Sequence, residues 1–276
     1  KLLEESTGFK PLTEIILVDQ TEEHDQATQN KLDFWQRDGL ISLICLDHAD
    51  LVGAMNLGLC AAQSDIVLYL DDDIIPAPGL IQGHIDAHMA HPEAIAVVGQ
   101  VLQPGEVEES VDYSPHGEAL RRYLDFPFYS SSGRYIENAI ACNLSLKRQR
   151  VLEWGTFDQR FGPPVAYRFE TDFAKHLIKD KHKIWFEPSA GISHLAAGSG
   201  GTRAEGGHLG SSSPNHGVGD YYYALKQGEG WDCLSYMFGR FFRQARSRYN
   251  LLHPWMIPIR CLGEIRALRL ALRLYR

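Results

Sequence analysis

Three consecutive carboxylates, Asp71, Asp72 and Asp73, stand directly after the apolar run 66–70. Like charges packed together repel, and a divalent cation with oxygen ligands is the usual offset. The alternative use is local, a solvated turn whose acids cap the segment after Pro78. A second cluster competes for a metal. His84, His88 and His91 fall at i, i+4 and i+7, on one face of a helix, and imidazoles at that spacing can bind zinc. The hydrolytic zinc motif needs a glutamate beside the first histidine, and the sequence has Ile85 and Asp86 there, so a polar helix face is the better reading.

Other chemistries lack their anchors. No G-x-G-x-x-G turn follows a strand, no phosphate-loop Lys-Ser/Thr pair is present and no nucleophile elbow occurs. Dehydrogenase, nucleoside triphosphatase and esterase readings are therefore set aside.

The elements that must position the aspartates follow from hydrophobic pattern. Runs 15–18, 40–46 and 66–70 are short and apolar, and they stop at Asp19, Asp47 and Asp71. Such runs fit strands buried on both faces of a parallel sheet, each presenting a carboxylate at its C-terminal end. Between them, 25–37 fits a helix poorly, whereas 51–62 sets Leu51, Met55, Leu59 and Ala62 on one face. Alternation of strand and helix predicts an α/β domain, in which ligands bind beyond the carboxyl ends of the strands. Downstream, 76–79 is punctuation, 80–90 a helix closed by His91-Pro92, 95–98 a strand and 103–118 an acidic loop. A less regular half follows: 139–146, a helix at 147–154, a turn at 157–164, a helix at 171–179 and a strand at 184–186. Residues 198–219 hold eight glycines and four serines, the composition of a lid or linker, and a helical C-terminal region begins at Tyr221.

With these residues in place, a family resemblance emerges. Gly53-Ala54-Met55-Asn56-Leu57-Gly58, then Ala61, Ala62 and Asp65, then Leu70-Asp71-Asp72-Asp73 and Pro76, resemble the central stretch of family 2 glycosyltransferases of the GT-A fold. Residues 14–19 resemble that family's second strand, and Asn143-Leu144-Ser145, Gly155-Thr156-Phe157-Asp158, Glu170-Thr171-Asp172-Phe173 and Ser193-His194-Leu195 follow in its order. The likeness covers about residues 12–225.

It implies a GT-A-like, open, mostly parallel sheet flanked by helices, and an inverting transfer of sugar from a nucleotide-diphosphate donor to a hydroxyl of a glycan or lipid-linked acceptor. Asp71 and Asp73 would form the D-x-D motif, Asp73 holding Mn2+ or Mg2+ and Asp71 reaching the ribose or the metal shell, with Asp72 among the nucleotide-sugar contacts. The chemistry agrees, because a departing diphosphate gathers negative charge that a bridging metal stabilises. Asp19 is expected at the nucleotide base, with strand-end capping as its plainer use. Glu170 is expected to take the acceptor proton, with Asp172 as the alternative, although acids at a helix N-terminus also complement its dipole. His194 is expected at the metal or diphosphate, Arg203 as a diphosphate clamp, and Asn143 with the 103–118 loop at the acceptor. Residues 1–8 read as the end of the helix after the family's opening strand, so the sheet is expected to lack that strand. Two other readings stay open, a sugar-phosphate nucleotidyltransferase and a glycan-binding domain without turnover.

Whole-chain arithmetic fits. The 276 residues are 44% hydrophobic and 22% charged, which excludes disorder and a disulfide miniprotein. Residues 1–239 carry 18 basic and 34 acidic side chains, whereas 240–276 carry nine arginines and one acid, Glu264. An acidic body repels bare nucleic acid and welcomes a cation, while the basic tail suits an anionic surface. Arg266, Arg269, Arg273 and Arg276 align on one helix, with docking against the acidic body as the alternative to a membrane leaflet. We expect a catalytic domain over 1–225, with a nucleotide-sugar half to about residue 102 and an acceptor half beyond it, and a basic helical extension over 226–276. Five scattered cysteines without a C-x-x-C pair, and no run of eighteen apolar residues, point to a cytoplasmic protein, peripheral on the inner face of the membrane.

Overall fold

The computed structural model describes residues 14–117, 119–165, 167–196, 212–246 and 248–276. Eight strands occur among them: β1 (Ile16–Asp19), β2 (Ser42–Cys45), β3 (Ile66–Leu70), β4 (Ile74–Pro76), β5 (Ala94–Leu102), β6 (Arg134–Ile136), β7 (Asn143–Lys147) and β8 (Lys183–His194). The helices are α1 (Gln26–Arg37), α2 (Leu51–Ala61), α3 (Leu80–Ala90), α4 (Arg148–Trp154), α5 (Phe169–Lys179), α6 (Asn215–Gln227), α7 (Gly230–Ala245), α8 (Arg248–Leu252) and α9 (Ile257–Tyr275).

The sheet is open, as expected, but mixed in direction rather than mostly parallel. β1 and β2 form a parallel pair, while the larger sheet runs β3-β7-β5-β8-β4, with β6 also on β8. Only β5 and β8 are parallel within it; the β3–β7, β5–β7, β4–β8 and β6–β8 pairs are antiparallel. Parallel neighbours need a long crossover, usually a helix. Among the described residues the chain from β5 to β7 supplies no α-helix, only the 3-10 turn Ala119–Arg121 and the short β6, and returns antiparallel. β1, β2 and β3 are part-exposed rather than covered on both faces; the strands with that property are β5, buried along its length except at Leu102, and β7, buried except at Lys147.

Local causes are visible in each element. α1 is largely polar and buries only Leu32; it is held by Asp25, whose carboxylate accepts from the Ala27 and Thr28 amides. In α2 the inward face is Val52, Ala54, Met55, Asn56 and Leu59, with Leu51 left exposed. Asn56 donates from its amide nitrogen to the Phe157 carbonyl (2.8 Å) and accepts from the Phe157 amide (3.0 Å), so two of the family-like stretches clasp each other. Glu14 accepts from the Gln63 and Ser64 amides, tying the start of the β1 pair to the approach to β3.

Most apolar side chains form one core over β5, β7, α5 and α6, reaching Ala267 and Ala271 of α9. A smaller cluster, Leu80, Val101, Cys142, Ala190 and Ile192, receives Leu70 and Ile74 from either side of the three aspartates. Each large aliphatic buried there contributes about 1.5–3 kcal/mol, and this anchoring fixes the acidic turn by its flanks.

The C-terminal helices dock through buried charge. Asp220 accepts from Arg168 Nε (2.9 Å), Tyr236 Oη (2.6 Å) and the Arg240 guanidinium. Arg240 also donates to Glu264 (Nε–Oε2 3.0 Å), which accepts from Tyr221 Oη (2.8 Å). One network thus joins the start of α5 to α6, α7 and α9. The stretch read as a lid ends earlier than expected, because α6 already begins at Asn215; residues 197–211, and Arg203 with them, lie outside the described residues.

Candidate active site

The three aspartates link β3 to β4, and β4 pairs antiparallel with the end of β8, setting Ile74 opposite His194. The Leu195 amide donates to the Asp73 carbonyl (2.8 Å), closing the ladder beside the acids. Sequence distance between Asp73 and His194 is thereby erased. His194 Nε2 lies 3.1 Å from Asp73 Oδ1 and 3.5 Å from Asp71 Oδ2, with the imidazole buried and the carboxylates more open.

On its other side, His194 Nδ1 lies 3.2 Å from Gln103 Oε1. An amide oxygen accepts, so Nδ1 is the donor to Gln103, and Nε2, on the side of the acids, would be the atom offered to a cation held there. Gln103 was legible only as the start of a loop, and nothing in its neighbourhood signals the role. One ligand atom from each of Asp71, Asp73 and His194 lies within 4.8 Å of the others, which is the one such group of three or more among the described residues. Two carboxylate oxygens and one imidazole nitrogen fit a divalent cation.

Electrostatics in the site favour that fit. Partial burial pushes the Asp71 carboxyl above its ordinary value, His194 opposes this, and the charges of Asp73 and Asp72 add to it. Asp72 itself is exposed and outside the triad. Cys142, buried in the small cluster, is pushed up by burial, and the charges of Asp71, Glu170 and Asp73 add to the rise.

Glu170 lies in the first turn of α5. Its Oε2 is shut from solvent and has no hydrogen-bond partner. Burial raises its carboxyl, with the backbone and Arg168 opposing and Asp71 adding to the rise. Asp172 faces elsewhere and is engaged: Lys226 Nζ and Gln227 Nε2 each donate to it at 2.7 Å. The two acids, read as alternatives in sequence, occupy different environments: Asp172 is bonded to α6, whereas Glu170 has a buried oxygen without a partner and feels the charge of Asp71.

Asp19 ends β1 and accepts from the Thr21 amide (3.0 Å) and from His24. Burial works against it, but those hydrogen bonds hold its carboxyl below the ordinary value. It belongs to the two-stranded sheet rather than to the triad's strands.

Asn143 requires a correction. It is fully buried in β7, donates to the Gln100 and Ala190 carbonyls (3.0 and 2.8 Å) and accepts from His84 Nε2 (2.8 Å). With every polar atom engaged inside the fold, it presents nothing to an acceptor. The histidine row is likewise structural: His84 and His88 both bond Ser145 Oγ, while His91 stacks on Trp185 at 3.6 Å between ring centroids. Burial depresses His84 to about 4, keeping it neutral.

A pocket of about 290 Å3 is lined by Val101, Gln103, Glu106, Asp125, Phe128 and Ile140, among others. Gln103 therefore borders both the pocket and His194.

Comparison with known proteins identifies the family. The model for glycosyl transferase family 2 matches residues 1–148. The chain belongs to that family. The family-2 chain is 28% identical over 194 residues to glucosyl-dolichyl phosphate glucuronosyltransferase of Haloferax volcanii, covering 64% of this chain and 61% of that relative. The crystal structure of GalNAc-T7 with UDP, GalNAc and Mn2+ superposes at a TM-score of 0.54 and 14% identity, over 89% of this chain and 52% of that one. The second likeness establishes the GT-A fold, and the chain spans about half to three-fifths of the proteins it resembles. Among the described residues no helix is long and apolar enough to cross a membrane.

Proposed function

We propose that this family-2 chain is an inverting, metal-assisted glycosyltransferase that moves a sugar from a nucleoside-diphosphate donor to a hydroxyl of a lipid-linked glycan. The observation that carries the reading is the convergence of Asp71, Asp73 and His194 Nε2, with Glu170 coupled to Asp71. Asp73, His194 and Asp71 would hold the cation, and the mixed oxygen and nitrogen donor set suits Mn2+ better than the oxygen-preferring Mg2+. Bound there, it would supply positive charge against the departing diphosphate. Gln103 orients His194 for that duty.

Glu170 is the proton acceptor in this reading. Its shielded, unpartnered oxygen is free for the acceptor hydroxyl, and a raised carboxyl is a stronger base than an ordinary one. Asp172 positions α5 by its bonds to α6. Asp19 and Asp72 are assigned to the nucleotide-sugar side, Arg203 to the diphosphate, and the pocket under Gln103 with the 103–118 loop to the acceptor. Residues 1–225 form the transferase unit, and 226–276 the extension that holds it at the cytoplasmic face of a membrane. The glucuronosyltransferase relative, by its name, acts on a dolichyl-linked sugar, and that supports a lipid-linked acceptor. Family membership also favours transfer over the nucleotidyltransferase and non-catalytic readings.

A thermal-shift panel of nucleoside diphosphates with and without Mn2+ tests the assignment. At a hundredfold excess over Kd, a ligand stabilises by about 2.7 kcal/mol, so metal-dependent stabilisation by at least one nucleotide is expected in the parent and its loss in Asp73→Asn. Equal shifts in both proteins would overturn the role of Asp73.

A further inference from the structure

α7 is built the wrong way round for a helix facing water. Its outward residues Trp231, Leu234, Phe238 and Phe242 stand at i, i+3, i+7 and i+11, exposed by 77%, 43%, 58% and 54%, while Tyr236 and Arg240 are buried beneath. A surface helix ordinarily turns its apolar stripe to the core and its charges outward. The pattern continues through the connection to α9, where Leu251, Leu252 and Trp255 are exposed by 66%, 68% and 67%. On α9 the inward positions are Arg260, Gly263, Glu264, Ala267 and Ala271, and Leu262 and Ile265 point out.

Charge selects the occupant. From 233 to 276 the sole acid is Glu264, and it is buried against Arg240 and Tyr221. The exposed charges described there are Arg243, Arg246, Arg266, Arg269, Arg273 and Arg276, all positive. Glu229 and Asp232 flank Trp231, with Asp232 accepting from the Leu120 amide; beyond them the exposed aromatic side chains are accompanied only by cations, and on helices too polar to span they match the interface of an anionic bilayer.

We propose that the outward face of α7 and the 251–255 connection insert into the headgroup region of an anionic membrane, with the exposed arginines pairing to lipid phosphates. This is a surface separate from the triad, and it stands whether or not the transferase reading holds. It assigns the insertion to α7, where the sequence had suggested only the arginines of α9.

The test is flotation of the full chain, without nucleotide or metal, on phosphatidylcholine vesicles with and without phosphatidylglycerol, together with quenching of tryptophan emission by brominated lipid. The parent is expected to float with the anionic vesicles and to be quenched. The triple variant Trp231→Ser, Phe238→Ser, Phe242→Ser should lose about tenfold or more in partitioning, and Arg266→Gln, Arg269→Gln, Arg273→Gln at least about tenfold at low salt. Circular dichroism checks the fold, and the single variants Trp231→Ser and Phe242→Ser carry the test if the triple variant unfolds. Failure of the parent to float, or equal partitioning of parent and apolar variants, overturns the proposal. So does a self-associated species that the same substitutions dissolve without any vesicle binding, because the face is then a protein interface.

Discussion

Glu170 joins a buried oxygen that lacks a partner to a carboxyl whose pKa is raised, and the two lead to opposite effects on stability and activity. Because the folded state holds the proton more tightly than the unfolded chain does, the charged form costs stability above the folded pKa, and this cost vanishes as pH falls below it. Glu170→Gln is therefore expected to lower transfer by about 10²–10⁴-fold while leaving the thermal midpoint at neutral pH equal or higher. Transfer by the parent should decline as pH falls through that raised pKa. A variant that loses stability along with activity would assign Glu170 to packing instead. At this scale the sequence exposed the proposed donors by type: Asp71, Asp73, His194 and Glu170 carry the groups that a cation and a hydroxyl proton would need. Gln103 stayed hidden, because its duty exists only once the ends of β5 and β8 meet. Asn143 misled, since an amide beside a motif looks the same whether it faces ligand or core.

Elements were legible where burial imposes a period and illegible where pairing alone defines them. The runs that became β1, β2 and β3 and the helix that became α3 needed only their apolar pattern. β4 and β6 span three residues each, too few for any period, and exist through their ladders to β8. β8 was visible over only a quarter of its length, because its pairing with β5 is interrupted by a register shift between Glu187 and Ile192. The seam of these strands is tight at Gly99, where a Cβ would stand 2.2 Å from both the Ala190 carbonyl oxygen and Asn143 Nδ2. Gly99→Ala should cost about 1–3 kcal/mol, read as a lower midpoint in urea. An unchanged midpoint would mean that the Asn143 bridge between β5 and β8 is not formed.

Across the whole molecule, the buried network around Asp220 binds the strand-rich body to the C-terminal helices. Burial alone would raise the Asp220 carboxyl, but Arg168 and Arg240 outweigh it and leave the pKa lowered. A lowered pKa contributes stability that is complete above the ordinary value of 3.8 and fades as pH falls below that toward the folded value. Asp220→Asn strands two guanidinium groups and is expected to cost about 3–5 kcal/mol near neutral pH, with the gap between variant and parent narrowing in acid. A gap that stayed constant from pH 7 to pH 3 would refute the linkage. The acidic body and basic tail were plain in the sequence as totals. What composition could not show is that the tail's one acid turns inward while its aromatics turn out.

Asp73 and His194, the cation donors proposed above, sit at neighbouring positions of an antiparallel ladder, Ile74 opposite His194 and Leu195 bonded to Asp73, rather than on a loop that must fold around its guest. Conformational entropy for bringing Asp73 and His194 together is already accounted for in folding the sheet. Occupancy should then report the charge and hardness of the incoming ion, with little chain reorganisation to mask differences among metals.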